Sequence, residues 1–246
     1  MAGLGTIIEG KNAVLSVLES ERAIKISYLH QETKSENFET ILNLAKKNKV
    51  EISAIRSKEE WPYHPRHSIV ALCNPKKTFK EKDINKFANK NFIVCDHIQD
   101  TNNIGAIARS AAAFNFEVIA IPLKRSVKIT ERTFSIASGG LEKVEIVFYN
   151  SIFSLIKKFN SLDIWTLGLD MTGEIEISDI DLKSQKYALF VGSEESGLSV
   201  EVQKKLDLIS RINMDNDIES LNVSVSAAVA MYQLFKIGRA SCRERV

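Results

Sequence analysis

Three short segments of this chain carry polar residue types that could act on an oxygen nucleophile. The first, DHIQDTNNIGAIARSAAAF, holds Asn103, Gly105 and Arg109 as NxGxxxR. An amide and a guanidinium there could hold an anion, or stabilise one as it forms. Six residues of separation keep the two off a common helical face unless Asn103 lies in the loop before the helix. The same residues are explained by Asn102 or Asn103 capping the helix while Arg109 makes a surface ion pair. The second segment, VGSEESGLS, holds Gly192, Glu194 and Gly197 as GxExxG. A dinucleotide fingerprint needs glycine where Glu194 stands, because a carboxylate would repel a pyrophosphate, so a phosphate-free ligand fits better. It reads equally as a glycine-rich turn into a helix capped by Ser199. The third, INMDNDIESLNVSVS, presents Ser220 and Asn222 ahead of a long helix, and both are ordinary capping types as well.

What must position these segments is an alternating α/β pattern. From residue 91 the apolar runs NFIVC, EVIAI, VEIVFY, DIWTLGL, YALFV and LISRI read as strands. Helical periods intervene near 103–114, 130–138, 151–160, 199–206 and 222–235. Such alternation predicts a mostly parallel sheet, whose ligands bind beyond the carboxyl ends of the strands. All three polar segments follow a strand. The final helix is rich in small and apolar residues and should be packed on at least two sides.

Before residue 75 a smaller α/β unit is expected. Helices over 10–20 and 36–48 alternate with strands IKISYL, VEISAI and SIVALC, the last following the turn-like WPYHPRH. The lysine-rich stretch around 75–90 reads as a linker. Four segments result: 1–74, the smaller unit; 75–90, the linker; 91–236, the main domain; and 237–246, a tail resembling translated adapter or vector DNA.

Charge is unevenly placed. Residues 1–90 hold 16 Lys/Arg and 11 Asp/Glu, whereas 91–246 hold 17 and 20. The basic bias of the amino-terminal part hints at phosphate contact, although a solvated lysine-rich face explains it too. Cys73 and Cys95 sit in apolar runs without CxxC spacing, so reduced thiols and no metal are expected. No apolar run is long enough to span a membrane and no signal-peptide pattern is present, which makes a cytoplasmic protein the expectation. None of the four histidines, His30, His64, His67 and His97, falls within the three patterns. A nucleotide-dependent oxidoreductase is disfavoured because no GxGxxG with a downstream acidic partner exists.

Taken together, NxGxxxR at 103–109, GxExxG at 192–197 and SLNVSVS at 220–226 resemble, in order and spacing, the three motifs of the SpoU, or TrmH, family of RNA ribose methyltransferases. The smaller unit resembles the ribosomal-protein-like RNA-binding domain of the branch that methylates a guanosine of 23S ribosomal RNA. This resemblance implies an α/β, SPOUT-type fold with a carboxyl-terminal trefoil knot, S-adenosylmethionine bound bent among the knotted loops, and a homodimer with the active site near the subunit interface. It implies Gly192, Ile212, Met214 and Leu221 as cofactor contacts. Arg109, Asn103, Glu194, Ser220 and Asn222 become the polar active-site set, with Asn103 supporting the arginine and Glu194 positioning it. The implied reaction is methyl transfer to a ribose 2′-hydroxyl, with ribosomal RNA favoured over transfer RNA; a non-catalytic RNA-binding protein of the same fold is the alternative. Two positions depart from the family pattern. Asn213 replaces the usual proline, which would loosen the cofactor loop by removing a φ restraint. RHSIVA at 66–71 replaces HQGIVA.

Overall fold

The computed structural model describes residues 4–30, 36–61, 66–124, 128–182, 185–215 and 220–243. His64 therefore lies outside the described residues. The chain divides into two compact units, one made of Met1–Lys77 with Ile129–Lys143 and the other of Thr78–Lys128 with Val144–Val246.

The first unit is built on strands β1 (Ile7–Glu9), β2 (Ala23–Leu29), β3 (Glu51–Ile55) and β4 (Ile69–Cys73), in the order β1-β4-β2-β3. Helix α1 (Lys11–Glu19) follows β1 and α2 (Glu36–Lys47) follows β2. Both bury the apolar faces that their periodicity marks: Val14 and Leu18 from α1, and Phe38, Ile41 and Ala45 from α2, are almost fully inaccessible. The Phe38 ring meets Tyr28 of β2 edge-on at 4.7 Å.

In the second unit β5 (Thr78–Lys80) leads through a 3-10 turn, Glu81–Phe87, into β6 (Phe92–Cys95), α3 (Thr101–Ala113) and β7 (Val118–Pro122). Helices α4 (Glu131–Ala137) and α5 (Gly140–Lys143) come next and belong to the first unit. The second unit resumes with β8 (Glu145–Tyr149), α6 (Ile152–Ser161), β9 (Trp165–Leu169), β10 (Ile175–Glu176), β11 (Tyr187–Val191), α7 (Val200–Gln203), β12 (Leu208–Arg211) and α8 (Val223–Arg243). The stretch expected to be a linker thus carries order: Thr78–Lys80 pairs in parallel with β8, and Ile84 and Phe87 are buried in the core. Helix α8 also runs into the stretch set apart as a tail.

The sheet order is β10-β12-β9-β11-β6-β7-β8-β5, and every pairing in it is parallel. Strand β12 inserts between β9 and β10, which are consecutive in the chain, so their connection must pass over it. That connection is tight: a Cβ on Gly173 would lie 2.5 Å from the carbonyl carbon of Ser210 in β12. The chain then continues past Arg211 to α8, and this threading is the carboxyl-terminal trefoil knot. General rules of chain topology argue against knots, so no periodicity could have announced it.

Within the first unit, Arg22 and Glu142 fasten the Ile129–Lys143 segment. Arg22 Nη2 and Nε donate to the two carboxylate oxygens at 2.6 and 3.0 Å, and only 13% and 3% of the two side chains is exposed. Arg22 Nη1 also donates to the carbonyls of Gly5 and Asn74. Glu142→Ala should therefore destabilise this unit by about 3 kcal/mol, because it strands a desolvated guanidinium. A urea-unfolding midpoint unchanged from wild type would show the pair to be dispensable.

Candidate active site

At the carboxyl end of β6 the chain turns into α3, and the cap is Asp100, whose carboxylate accepts from the Asn102 backbone N–H at 2.8 Å. The capping expected of Asn102 or Asn103 is therefore done by another residue. Asn103 lies inside the first turn of the helix and is buried, 6% exposed. It consequently does not meet Arg109, which sits six residues further on in the same helix and is exposed. Among the described residues Arg109 makes no hydrogen bond or ion pair, and Glu194 bonds to Asn103 in its place.

What Asn103 does instead is join the other two motifs. Its Nδ2 donates to Glu194 Oε1 at 2.7 Å, and its Oδ1 accepts from Asn222 Nδ2 at 3.1 Å. Asn222 Oδ1 accepts from the backbone N–H of Ser224 at 2.9 Å and from its hydroxyl at 2.6 Å. Each orientation in this chain is forced by its neighbour. A backbone N–H can only donate, so Asn222 must present oxygen to Ser224 and nitrogen to Asn103; Asn103 then has nitrogen left for a carboxylate, which only accepts. Residues 91 and 119 positions apart are thereby locked into one polar line.

The glycine loop is equally constrained. Ser193 and Gly197 exchange backbone hydrogen bonds at 3.0 and 3.2 Å, and Gly197 has φ +62°, a conformation suited to glycine. Ser199 caps α7, as the sequence suggests. Asp170, just after β9, accepts from the Thr172 backbone N–H and hydroxyl with one oxygen and from the Leu198 N–H with the other. The knot connection and the glycine loop are thus tied to each other.

Between these loops lies a cavity of about 490 Å³. Gly192, Ile212, Met214 and Leu221, expected as cofactor contacts, all line it, as do Glu194, Ser220 and Asn222. Arg109 does not, and Asn103 reaches it through its hydrogen bonds. Sequence reasoning missed the segment Leu169–Thr172, which forms another wall. The available signal was its place after a parallel strand. The cysteines stand apart from this chemistry: burial pushes the Cys73 thiol up to about 12, and burial chiefly, with the Asp96 and Glu194 carboxylates adding, pushes Cys95 up as well. Among the described residues no cluster of His, Cys, Asp and Glu could hold a metal ion, and no helix is long and apolar enough to cross a membrane.

Asn213 does not leave its loop unrestrained. Its Oδ1 accepts from Arg211 Nε at 3.0 Å and its Nδ2 donates to Glu176 of β10, while Arg211 Nη1 donates to the Gly173 carbonyl at 2.6 Å. Side-chain bonds across the knot crossing do the work that a ring constraint on φ would otherwise do. Asn213→Ala should therefore weaken ligand binding in the cavity by about three- to tenfold, the worth of one or two hydrogen bonds. Calorimetric titration of the variant with S-adenosylmethionine checks this, and unchanged affinity would show the bridge to be incidental.

Two family models match the chain. Residues 90–232 match the SpoU rRNA Methylase family, and residues 7–79 match the RNA 2′-O ribose methyltransferase substrate binding family. Among curated proteins, YacO of Bacillus subtilis, assigned to the TrmH family of tRNA/rRNA methyltransferases, is 26% identical over 234 residues, 92% of this chain and 94% of its own length. Two solved structures share the fold. The SpoU methyltransferase AviRb of Streptomyces viridochromogenes, in complex with the cofactor AdoMet, superimposes with a TM-score of 0.75 at 20% identity, covering 96% of this chain and 90% of that one. An AdoMet-bound rRNA methyltransferase of Sinorhizobium meliloti gives 0.71 at 17% identity, covering 94% and 87%. With three separated motifs meeting on one cavity inside a knotted parallel sheet, and a family match spanning more than half of its residues, the chain belongs to the SpoU, or TrmH, family of RNA methyltransferases.

Proposed function

We propose that this protein uses S-adenosylmethionine to methylate a ribose 2′-hydroxyl, and that its target is a guanosine of 23S ribosomal RNA. The observation carrying this reading is the hydrogen-bonded line Glu194–Asn103–Asn222, which leads from all three motifs to a cavity of suitable size. The cofactor fits what lines that cavity. Ile212, Met214 and Leu221 offer apolar surface for an adenine, backbone groups around Gly192 offer its hydrogen-bonding edge partners, and Asp170 and Glu194 suit a ligand carrying positive charge. When bound, it supplies an electrophilic methyl group on a sulfonium.

The chain's own residues must then orient the ribose hydroxyl and stabilise the oxygen as it loses its proton to solvent water. Asn222 retains a second N–H for that oxygen, and Ser220 stands beside it on the cavity wall. Arg109 remains charged and cannot act as a free base, so its role is charge-assisted: binding a target phosphate and stabilising the developing alkoxide. Its exposure and its absence from its own subunit's cavity favour delivery to the cavity of a second copy. Val225 and Tyr232, seven residues apart on α8 and 48% and 46% exposed, give the apolar surface for a homodimer contact on a helix that packs against α3. Incubation with S-adenosylmethionine and unmodified 23S or transfer RNA transcripts, followed by mass spectrometry of released nucleosides, tests the reading. Appearance of 2′-O-methylguanosine in 23S RNA is the expected result. Methylation of transfer RNA alone would move the substrate, and RNA binding without methylation would leave only an RNA-binding role.

A further inference from the structure

Beside the methyl-transfer site, the carboxyl end of β6 carries a second ordered polar cluster. Asp96, 6% exposed, accepts two hydrogen bonds on a single carboxylate oxygen. One comes from the Tyr149 hydroxyl at 3.1 Å and the other from His97 Nδ1 at 2.8 Å. Burial, with the neighbouring Asp96 carboxylate adding to it, pushes the Tyr149 phenol far up, so it stays a donor. Because a carboxylate only accepts, Nδ1 carries a proton, and in the neutral tautomer this leaves Nε2 to present its lone pair. The imidazole is 47% exposed, so that lone pair can face a partner.

The backbone at His97 is unusual too. It has φ +56°, where a side chain is strained and glycine is not. Strain of this kind persists where surrounding structure holds it, and it clusters at functional positions. Register places the residue where a substrate could be met. Cys95 of β6 stands opposite Val191 of β11, and the Asp96 N–H donates to the Val191 carbonyl at 2.8 Å, so His97 leaves the sheet edge alongside Gly192–Glu194. On the other side Val94 stands opposite Ala120 of β7, so the same end of the sheet also carries Leu123, which follows β7 directly and is 59% exposed. A hydrogen-bond acceptor beside exposed apolar surface suits an unstacked nucleotide, whose ribose hydroxyls and base N–H groups donate while its base face seeks apolar contact.

We propose that His97, held by Asp96, is an RNA-contacting residue whose Nε2 accepts a hydrogen bond from a nucleotide neighbouring the methylated ribose. This rests on the family's RNA substrate and adds a contact outside the three motifs. The test uses the full chain and its His97→Gly and His97→Gln variants, measuring affinity for unmodified 23S and transfer RNA transcripts, affinity for S-adenosylmethionine, and Tm. Glycine should relieve the backbone strain, so Tm should hold or rise, and cofactor affinity should be unchanged. RNA affinity should fall about three- to tenfold, the effect of one hydrogen bond. Glutamine, which keeps an acceptor, should recover part of that loss. Wild-type RNA affinity in His97→Gly overturns the proposal, as does a parallel loss of cofactor affinity and Tm, which would make His97 structural. Failure of the unsubstituted protein to bind either RNA overturns this proposal and the RNA reading together.

Discussion

Arg109→Ala should lower methyl transfer by about a hundredfold or more, the loss seen when one donor to a developing oxyanion is removed. Affinity for S-adenosylmethionine should stay within about twofold, because Arg109 does not line the cavity of its own subunit. Arg109→Lys should recover little, since a point charge does not replace a planar fork that holds phosphate and alkoxide together. Mixing distinguishes an arginine acting in its own subunit from one acting across a dimer. Neither Arg109→Ala nor Asn222→Ala alone should turn over. If the arginine serves the partner's cavity, re-assorted mixed dimers contain one cavity with both residues intact, and activity should return to about a quarter of wild type in an equal mixture. No recovery in a mixture shown to contain mixed dimers would place Arg109 within its own subunit and remove the argument for a shared site.

The strands that carry the site were legible because buried parallel strands are unbroken apolar runs: YALFV matches β11 residue for residue, and NFIVC and VEIVFY differ from β6 and β8 by one residue at one end. The motifs were legible as residue types, but their partnerships were not. Asn103 faces Glu194 and Asn222 because α3 begins at Thr101, and a helix start three residues later would have left its amide in the loop before the helix. Composition also misled at 78–87. A three-residue edge strand and a 3-10 turn bury only Ile84 and Phe87 among lysines, too few apolar positions to form a period. The assignment of Ile129–Lys143 to the first unit depends on contacts such as Arg22 with Glu142, 120 residues apart, which nothing local encodes. Asn213 shows the same limit at the scale of one side chain. The loss of a proline was visible, but the bonds to Arg211 and Glu176 that offset it required the crossing of two chain segments.

Gly192→Ala should abolish S-adenosylmethionine binding, by a factor of about a hundred or more, through backbone collision rather than through loss of a contact. A Cβ at this position would lie 2.0 Å from the carbonyl carbon of Gly197, 2.1 Å from its oxygen and 2.4 Å from the Leu198 nitrogen. All three are main-chain atoms, so no rotamer change relieves the clash. The Gly197 side of the loop cannot withdraw easily either: it is bonded to Ser193 in both directions, Leu198 is buried in the core, and the Leu198 N–H is held by Asp170. To admit one methyl group the loop must come apart, and with it the wall that carries Glu194. Gly168→Ala is the matched control. The three atoms nearest its added Cβ are side-chain ends, of Ile209, Leu206 and Leu198 at 2.7 to 3.1 Å, which can shift at a cost in stability without moving the glycine loop. Titration calorimetry on both variants, beside thermal unfolding, separates the two effects: Gly168→Ala should lose stability and keep the cofactor, whereas Gly192→Ala should lose the cofactor. Cofactor affinity within threefold of wild type in Gly192→Ala would mean that the ligand is not seated on this loop, and the cavity it lines would then have to serve something else.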